Sequence, residues 1–234
     1  MIKITKIAAA AVLALSFGAA SALPVVDSFS VDQGKTEDLT TNDGPEWATQ
    51  VAGADILGGY RDVYVEKYLL NGDTALGLSA VTSNGSLSYS ENTQQAGIGV
   101  IRWDGIATGG DIDVNGLGGV DLTKYGSAFN VLVLAADDQS PLTFTVWSGG
   151  TTSPSSWTVY TQESSLPMSY IFSFASFAGA DFTNVGALQL QINDGTGAAL
   201  DTRIDMVSVV PEPGTLALAG IALLGLGAIR RRKS

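Results

Sequence analysis

The 234-residue chain contains no histidine and no cysteine. Without histidine it cannot form a Ser-His-Asp triad, an imidazole general base or a His-ligated zinc or iron site. Without cysteine it lacks a thiolate nucleophile, an iron–sulfur cluster and a disulfide framework. Charged residues make up only 15% of the chain, whereas glycine is abundant at 28 residues. Any catalysis would therefore depend on paired carboxyl groups, as in glycoside hydrolysis.

The first 22 residues have the order of a secretory signal peptide. Lys3 and Lys6 precede an apolar run, Ile7–Phe17, and small residues follow at Ala20 and Ala22. A positive start, a short hydrophobic helix and small residues at its end are the features of a cleaved export signal. We therefore predict that signal peptidase cleaves the chain after Ala22, with Ala20 and Ala22 at the cleavage site.

The last 25 residues, 210–234, contain a second apolar segment. Thr215–Ile229 is almost wholly apolar and is followed by the basic cluster Arg230–Lys233. Fifteen helical residues rise about 22 Å, less than a bilayer core of about 30 Å. The basic cluster holds its end on the cytoplasmic side. This pattern predicts a hydrophobic helix that is a transient or retained inner-membrane segment, with residues 23–209 on the outer side.

The sequence just before this apolar segment is Val210-Pro211-Glu212-Pro213-Gly214. Together with the glycine-dotted helix and the basic tail, it resembles the PEP-CTERM sorting signal. The resemblance implies processing by an exosortase, with Pro211, Glu212 and Pro213 as the recognised residues. Physically, two prolines flanking one residue forbid a helix and present an extended segment. The resemblance also implies an exported cell-surface or extracellular-matrix protein of a bacterium that makes exopolysaccharide and biofilm.

The segment between the two ends, residues 23–209, has the pattern of one all-β domain. It has 22 acidic residues against six basic ones, a net charge of −16 that repels nucleic acid. Apolar and polar residues alternate in segments such as Leu142–Val146 and Leu188–Ile192, and turn dipeptides such as Asn84-Gly85 separate them. We predict an antiparallel two-sheet β-sandwich of jelly-roll type, flanked by the signal helix and the C-terminal hydrophobic helix.

Short segments of this domain add a second resemblance. They are similar to segments of exported PEP-CTERM proteins with a sandwich domain, and the layout is similar to that of galactose-binding-like and carbohydrate-binding modules. The resemblance implies a sandwich fold and supplies no catalytic residues. The segments are Asp27–Phe29, Ile56–Asp62, Arg102–Gly105, Gly119–Thr123 and Asp181–Val185.

Two predicted strands present side chains that suit a sugar. The outward side of Arg61–Leu69 has Tyr64 and Tyr68, and the Leu188–Asn193 segment has Gln189, Gln191 and Asn193. Aromatic rings pack against the C–H faces of sugars, and planar amides hydrogen-bond their hydroxyls. These five residues are the candidate carbohydrate-binding set; the alternative is a solvated sheet surface. Among the four tryptophans, Trp47 and Trp157 lie near loops and are the better ligand candidates.

A separate group of oxygen-bearing side chains is a candidate calcium site. Asp111, Asp113 and Asn115 alternate before Gly116, as at the start of a calcium loop. An EF-hand is excluded, since the bidentate glutamate six residues after the glycine is missing and no helices flank the segment. Acidic turn residues without a metal are the alternative. We expect no cofactor apart from this structural Ca²⁺.

Three functions remain open from the sequence. The first is an exported surface or matrix protein associated with extracellular polysaccharide, and the second is a non-catalytic carbohydrate-binding module. The third is a carboxylate-dependent glycosidase or lyase, which would need two carboxyl groups facing one cleft. No acidic residue is distinguished as catalytic by its context, so we predict that the protein is not an enzyme.

Overall fold

A computed structural model of the chain describes residues 25–40, 44–69, 78–93, 95–106, 110–196 and 199–211. Within them the chain forms fourteen strands and three short 3-10 helices. The predicted signal peptide and the C-terminal hydrophobic helix lie outside the described residues. In the described part of the chain, no helix is long and apolar enough to cross a membrane.

The strands form two antiparallel sheets of seven strands each. The first sheet has the order β12-β9-β14-β7-β6-β2, and β1 pairs with β14. Its strands are β1 (Val25–Asp27), β2 (Gln33–Asp38), β6 (Leu78–Ser83), β7 (Ser86–Glu91), β9 (Ala128–Ala136), β12 (Met168–Ser173) and β14 (Asp201–Val210).

The second sheet has the order β11-β10-β13-β8-β5-β3, and β4 pairs with β5. Its strands are β3 (Glu46–Trp47), β4 (Val51–Ala52), β5 (Tyr60–Leu69), β8 (Ala96–Trp103), β10 (Pro141–Ser148), β11 (Ser155–Tyr160) and β13 (Val185–Ile192). The two sheets enclose one apolar core, so the prediction of an all-β, antiparallel two-sheet sandwich is confirmed.

The core is built from the alternating residues that the sequence pattern identified. On β10 and β13, every second side chain, such as Phe144 and Leu190, is fully buried between the sheets. Phe129 of the first sheet stacks on Phe144 of the second with ring centroids 4.1 Å apart. The predicted Asn84-Gly85 turn joins β6 to β7, and both of its residues have positive φ as a tight hairpin requires.

A buried ion pair also connects the two sheets. Arg61 on β5 contacts Asp27 on β1, with Nη1 3.0 Å from the nearer carboxylate oxygen, and neither side chain is exposed. Trp103 Nε1 donates to the same carboxylate at 2.9 Å, and Arg61 Nε donates to Gln33 Oε1 at 2.8 Å. Every charged group here has hydrogen-bonding partners, which is the condition for tolerating charge in a core.

Candidate functional site

The candidate site lies on the side of the second sheet that faces away from the core. Side chains from four strands meet there because alternate residues of a strand point to the same side of a sheet. We call this surface the aromatic–polar face. Its members are Trp47, Tyr64, Glu66, Tyr68, Arg102, Gln189 and Gln191.

The strand register explains how residues distant in the sequence become neighbours on this face. Trp47 is paired with Tyr64, and Tyr64 with Val100. Val100 is paired in turn with Gln191. A parallel row places Arg102 opposite Gln189. The β5 tyrosines and the β13 glutamines of the candidate carbohydrate-binding set thus lie on one side of the same sheet, with β8 between them.

Arg102 is the central side chain of the face. Its guanidinium carbon lies 5.4 Å from the centroid of Trp47 and 5.2 Å from that of Tyr64. Its Nε donates to Gln189 Oε1 at 2.8 Å, and Nη1 donates to the Gly110 carbonyl at 2.6 Å. The guanidinium therefore packs against a pair of adjacent aromatic rings and is bonded to two oxygen acceptors, an arrangement that combines cation–π attraction with hydrogen bonding.

The sequence analysis did not identify Arg102 as a site residue. The sequence feature that could have identified it is a positive charge within the strand segment Ile101-Arg102-Trp103. Both neighbours are fully buried in the core, so the Arg102 side chain points to the opposite side of the sheet. Only six basic residues occur between positions 23 and 209, so each one that lies on a sheet face is a candidate for ligand contact. Trp47, the better-placed tryptophan, joins the face at a ring distance of 4.6 Å from Tyr64.

Tyr68 and Glu66 form the more exposed end of the face. Tyr68 is 43% exposed, and its hydroxyl donates to Glu66 Oε2 at 3.2 Å. Burial and the neighbouring Glu66 charge raise the pKa of Tyr68 to about 12. Burial likewise raises the pKa of the Tyr64 hydroxyl. Both phenols therefore stay protonated over the physiological range and can donate hydrogen bonds.

The two glutamines are half-buried on the face, but Asn193 is not part of it. Gln191 Nε2 donates to the Asn193 carbonyl at 2.9 Å. The side chain of Asn193 is only 1% exposed, and its Nδ2 donates to Glu91 Oε1 at 2.7 Å. The reason is that β13 ends at Ile192 and Asn193 has a φ of 64°, which breaks the alternation. The expected outward position of Asn193 is corrected accordingly.

A buried carboxyl group lies beside Arg102. Asp62 is opposite Arg102 in the strand register, is only 4% exposed and accepts a hydrogen bond from Gln50 Nε2 at 2.7 Å. Burial, and secondarily the charge of Asp104, raises the pKa of Asp62 to about 6. The charge next to Arg102 therefore changes at mildly acidic pH.

The candidate calcium residues lie in the loop that follows β8. Asp113 N donates to Asp104 Oδ2 at 3.0 Å, and Asn115 N donates to Asp113 Oδ1 at 2.9 Å. Asp111 is exposed. In the part of the chain that the structure describes, no three His, Cys, Asp or Glu side chains are grouped so that they could hold a metal. The carboxylates here accept hydrogen bonds from the loop backbone, and the calcium site stays a prediction.

The predicted processing residues lie at the end of the described chain. Pro211 is exposed and directly follows β14, which ends at Val210. Glu212 and Pro213 lie outside the described residues, as do Ala20 and Ala22 at the predicted signal-peptide cleavage site.

Residues 209–233 match the PEP-CTERM protein-sorting motif. The motif indicates an exported protein that is processed at the membrane. No curated protein matches the sequence.

Several solved structures are similar in fold. The family 11 carbohydrate-binding module of the cellulosomal cellulase Lic26A-Cel5E of Clostridium thermocellum is 10% identical, with a TM-score of 0.38, over 80% of this chain and 93% of that one. The family 29 module CBM29_1 from Piromyces equi is 10% identical, with a TM-score of 0.35, over 62% of this chain and 78% of that one. PfGH50B is 8% identical, with a TM-score of 0.39, over 64% of this chain but only 22% of its own. At such identities, these likenesses identify no ligand.

Proposed function

We propose that this protein is exported, sorted by an exosortase to the cell surface or extracellular matrix, and binds an extracellular polysaccharide there without catalysis. Signal peptidase acts after Ala22 and exosortase at Pro211–Pro213 in this proposal. The observation that carries the binding function is the contact of the Arg102 guanidinium with the adjacent Trp47 and Tyr64 rings and with the Gln189 amide oxygen. Association with exopolysaccharide and biofilm follows from the same proposal.

The chemistry of the face matches the needs of a neutral sugar chain. The rings of Trp47 and Tyr68 offer flat apolar surface to sugar C–H groups, while guanidinium, amide and phenol groups bond to hydroxyls. Tyr64 is only 8% exposed and supports the Trp47 ring. Arg102 is already held by Gln189 and Gly110, so little side-chain freedom is lost on binding. The adjoining row of threonine hydroxyls, Thr143 and Thr145 on β10, extends the polar surface across the sheet.

Binding is favoured over hydrolysis by the environment of the carboxyl groups on this face. Glycoside hydrolysis needs one carboxylic acid and one carboxylate flanking the same bond. Glu66 accepts the Tyr68 hydroxyl, and buried Asp62 accepts the Gln50 amide. Each of these two carboxyl groups thus holds a neighbouring side chain by a hydrogen bond, and we assign catalysis to neither.

The test is electrophoresis of the full chain, kept soluble with a non-ionic detergent, through gels containing a soluble β-glucan, a mannan or the host exopolysaccharide. We expect retardation by one of these polymers. The variant Arg102→Met should weaken it about tenfold or more, because a hydrogen bond to a charged group contributes about 1.5–3 kcal/mol. Arg203→Met is the matched control, since Arg203 is exposed on the opposite sheet. Equal effects of the two variants, or mobility unaffected by any polymer, would refute the proposal.

Thermal unfolding of the full chain, with Ca²⁺ or with a chelator, tests the predicted calcium site. We expect Ca²⁺ to raise the thermal midpoint of the wild type and chelation to lower it. The double variant Asp111→Asn/Asp113→Asn should lose this response. A midpoint that does not depend on calcium would contradict the calcium prediction while leaving the binding face unaffected, because these residues are not members of the aromatic–polar face.

A further inference from the structure

The two lateral edges of the sandwich differ sharply in charge. At one side the edge strands are β2 and β3, and exposed Lys35, Glu37 and Glu46 lie on them. Lys35 and Glu37 form an exposed ion pair at 3.1 Å. Charged side chains on an edge strand prevent it from pairing with another chain, because pairing would strip them of water. This side of the sandwich is therefore protected from pairing with another chain.

The other side lacks this protection. Its edge strands are β11 in the second sheet and β12 in the first, which lie beside each other. Glu163 is the one charged residue between positions 139 and 180, a stretch that includes both strands. In a domain with 22 acidic residues, a single charged residue over so long a stretch is unusual. We call β11 and β12, which contain no charged residue, the uncharged edge.

Large apolar side chains are also exposed along the uncharged edge and in the segment 161–167 that connects its two strands. Trp157 is 45%, Tyr160 57%, Leu166 72% and Ile171 39% exposed. Trp157 continues the row of core side chains, since it is paired with fully buried Phe144. Exposed apolar side chains beside an unpaired edge strand are typical of an interaction surface, whereas a solvated edge carries charged side chains.

The charge of the domain indicates which partner this edge can accept. Residues 23–209 have a net charge of −16, so two copies repel each other over most of their surfaces. The uncharged edge is where that repulsion is weakest and where apolar area and unpaired backbone groups are available. A surface that meets its own copy must be self-complementary, and an edge strand meets this requirement by antiparallel pairing about a twofold axis.

We propose that β11 pairs antiparallel with β11 of a second copy of this chain and so joins the two second sheets into one continuous sheet. The six residues Ser155–Tyr160 span about 20 Å, long enough for a regular ladder. The exposed ring of Trp157 is covered in the pair, and the unpaired N–H and C=O groups of both edge strands are satisfied.

Engineered cysteines provide a direct test, because the chain has none of its own. Ser156→Cys and Thr158→Cys are placed separately and together in the full chain, which is exported and oxidised in its host. We expect a covalent dimer on non-reducing gels from at least one of the three variants, since a disulfide requires Cα atoms within about 7 Å and the double variant also covers a twofold axis at residue 157. Ser90→Cys, exposed on the opposite sheet, is the control and should remain monomeric. Absence of dimer from all three edge variants, or equal dimer from the control, overturns the proposal.

A charge introduced at Tyr160 separates pairing from damage to the fold. Tyr160→Glu should weaken dimerisation about tenfold or more in sedimentation, because pairing would strip the new charged side chain of water. Tyr160→Lys should do the same, since a charge of either sign loses its hydration at the paired edge. Tyr125→Glu, an exposed tyrosine outside the edge strands, should have no effect.

Two results would refute the pairing. One is a monomeric wild type, and the other is an unchanged dimer in Tyr160→Glu. A monomeric wild type whose retardation by a polysaccharide is lost in Tyr160→Glu would assign the edge to polysaccharide instead. The proposal does not depend on the aromatic–polar face, because the Arg102→Met variant that tests that face should still dimerise.

Discussion

Replacing Arg61 by methionine would leave a carboxylate without its cation in the interior. Asp27 is fully buried and would keep two hydrogen bonds, from Trp103 Nε1 at 2.9 Å and Phe29 N at 2.8 Å. It would lose both contacts with the guanidinium, at 3.0 and 3.1 Å. Gln33 Oε1 would lose its donor as well. Removing one partner of a buried ion pair typically costs about 3–5 kcal/mol, a large part of a total stability of about 5–15 kcal/mol.

We therefore expect Arg61→Met to lower the free energy of unfolding by about 4 kcal/mol. For a domain of this size that corresponds to a fall in Tm of about 8–16 °C. Urea unfolding followed by tryptophan fluorescence measures the change. Arg203→Met is the matched control: Arg203 is exposed and its Nε donates to Ser86 Oγ, so its loss should cost less than about 1 kcal/mol.

The pH dependence of this loss gives a second check. Burial already raises the pKa of Asp27, although Arg61 opposes it. Without Arg61 the pKa rises further, so Asp27 is protonated at a higher pH and the uncompensated charge disappears on acidification. The penalty should be smaller at pH 4 than at pH 7. If Arg61→Met lowers the free energy of unfolding by less than about 1 kcal/mol, or by the same amount at both pH values, this reasoning is refuted.

Three further predictions follow from other parts of the molecule. Because the pKa of Asp62 is raised to about 6, its ionisation lowers the stability of the folded protein as the pH rises from about 4 to 6. Asp62→Asn should therefore gain stability relative to the wild type over that interval. Urea midpoints of variant and wild type that shift equally with pH would contradict this. Gly186→Ala would place a Cβ 1.8 Å from the Val114 carbonyl oxygen and should cost about 1–3 kcal/mol by thermal unfolding; an unchanged Tm would contradict the close approach. Pro211→Ala/Pro213→Ala should retain the unprocessed chain in the membrane fraction, and unchanged release would count against the sorting prediction.

Much of the fold was predictable because alternation within a strand is a local property. β10 and β13 were recognised from apolar residues at every second position, and both bury those residues between the sheets. The short strands β1, β3 and β4 were not predicted, since two or three residues cannot establish a period. Arg61 and Lys67 were also misleading, because a charged residue in a strand pattern indicates solvent although both are fully buried here.

The candidate site was predictable only strand by strand. Tyr64 and Tyr68 were assigned to the outward side of β5, and Gln189 and Gln191 to that of β13, from local alternation alone. That the two pairs share a sheet depends on β8, which lies between them and supplies Arg102. No local pattern contains that information, because strand order is set by contacts between distant segments.

The sequence by itself determined the sorting motif at residues 209–233 and the all-β class, since charge, hydrophobic length and side-chain alternation are properties of neighbouring residues. The tertiary structure alone decided that Arg102 packs against both Trp47 and Tyr64, that Asn193 turns inward to Glu91, and that β11 and β12 form one lateral edge without charged residues. These features arise from the register of strands far apart in the chain, and register is selected by how the two sheets together bury their apolar faces.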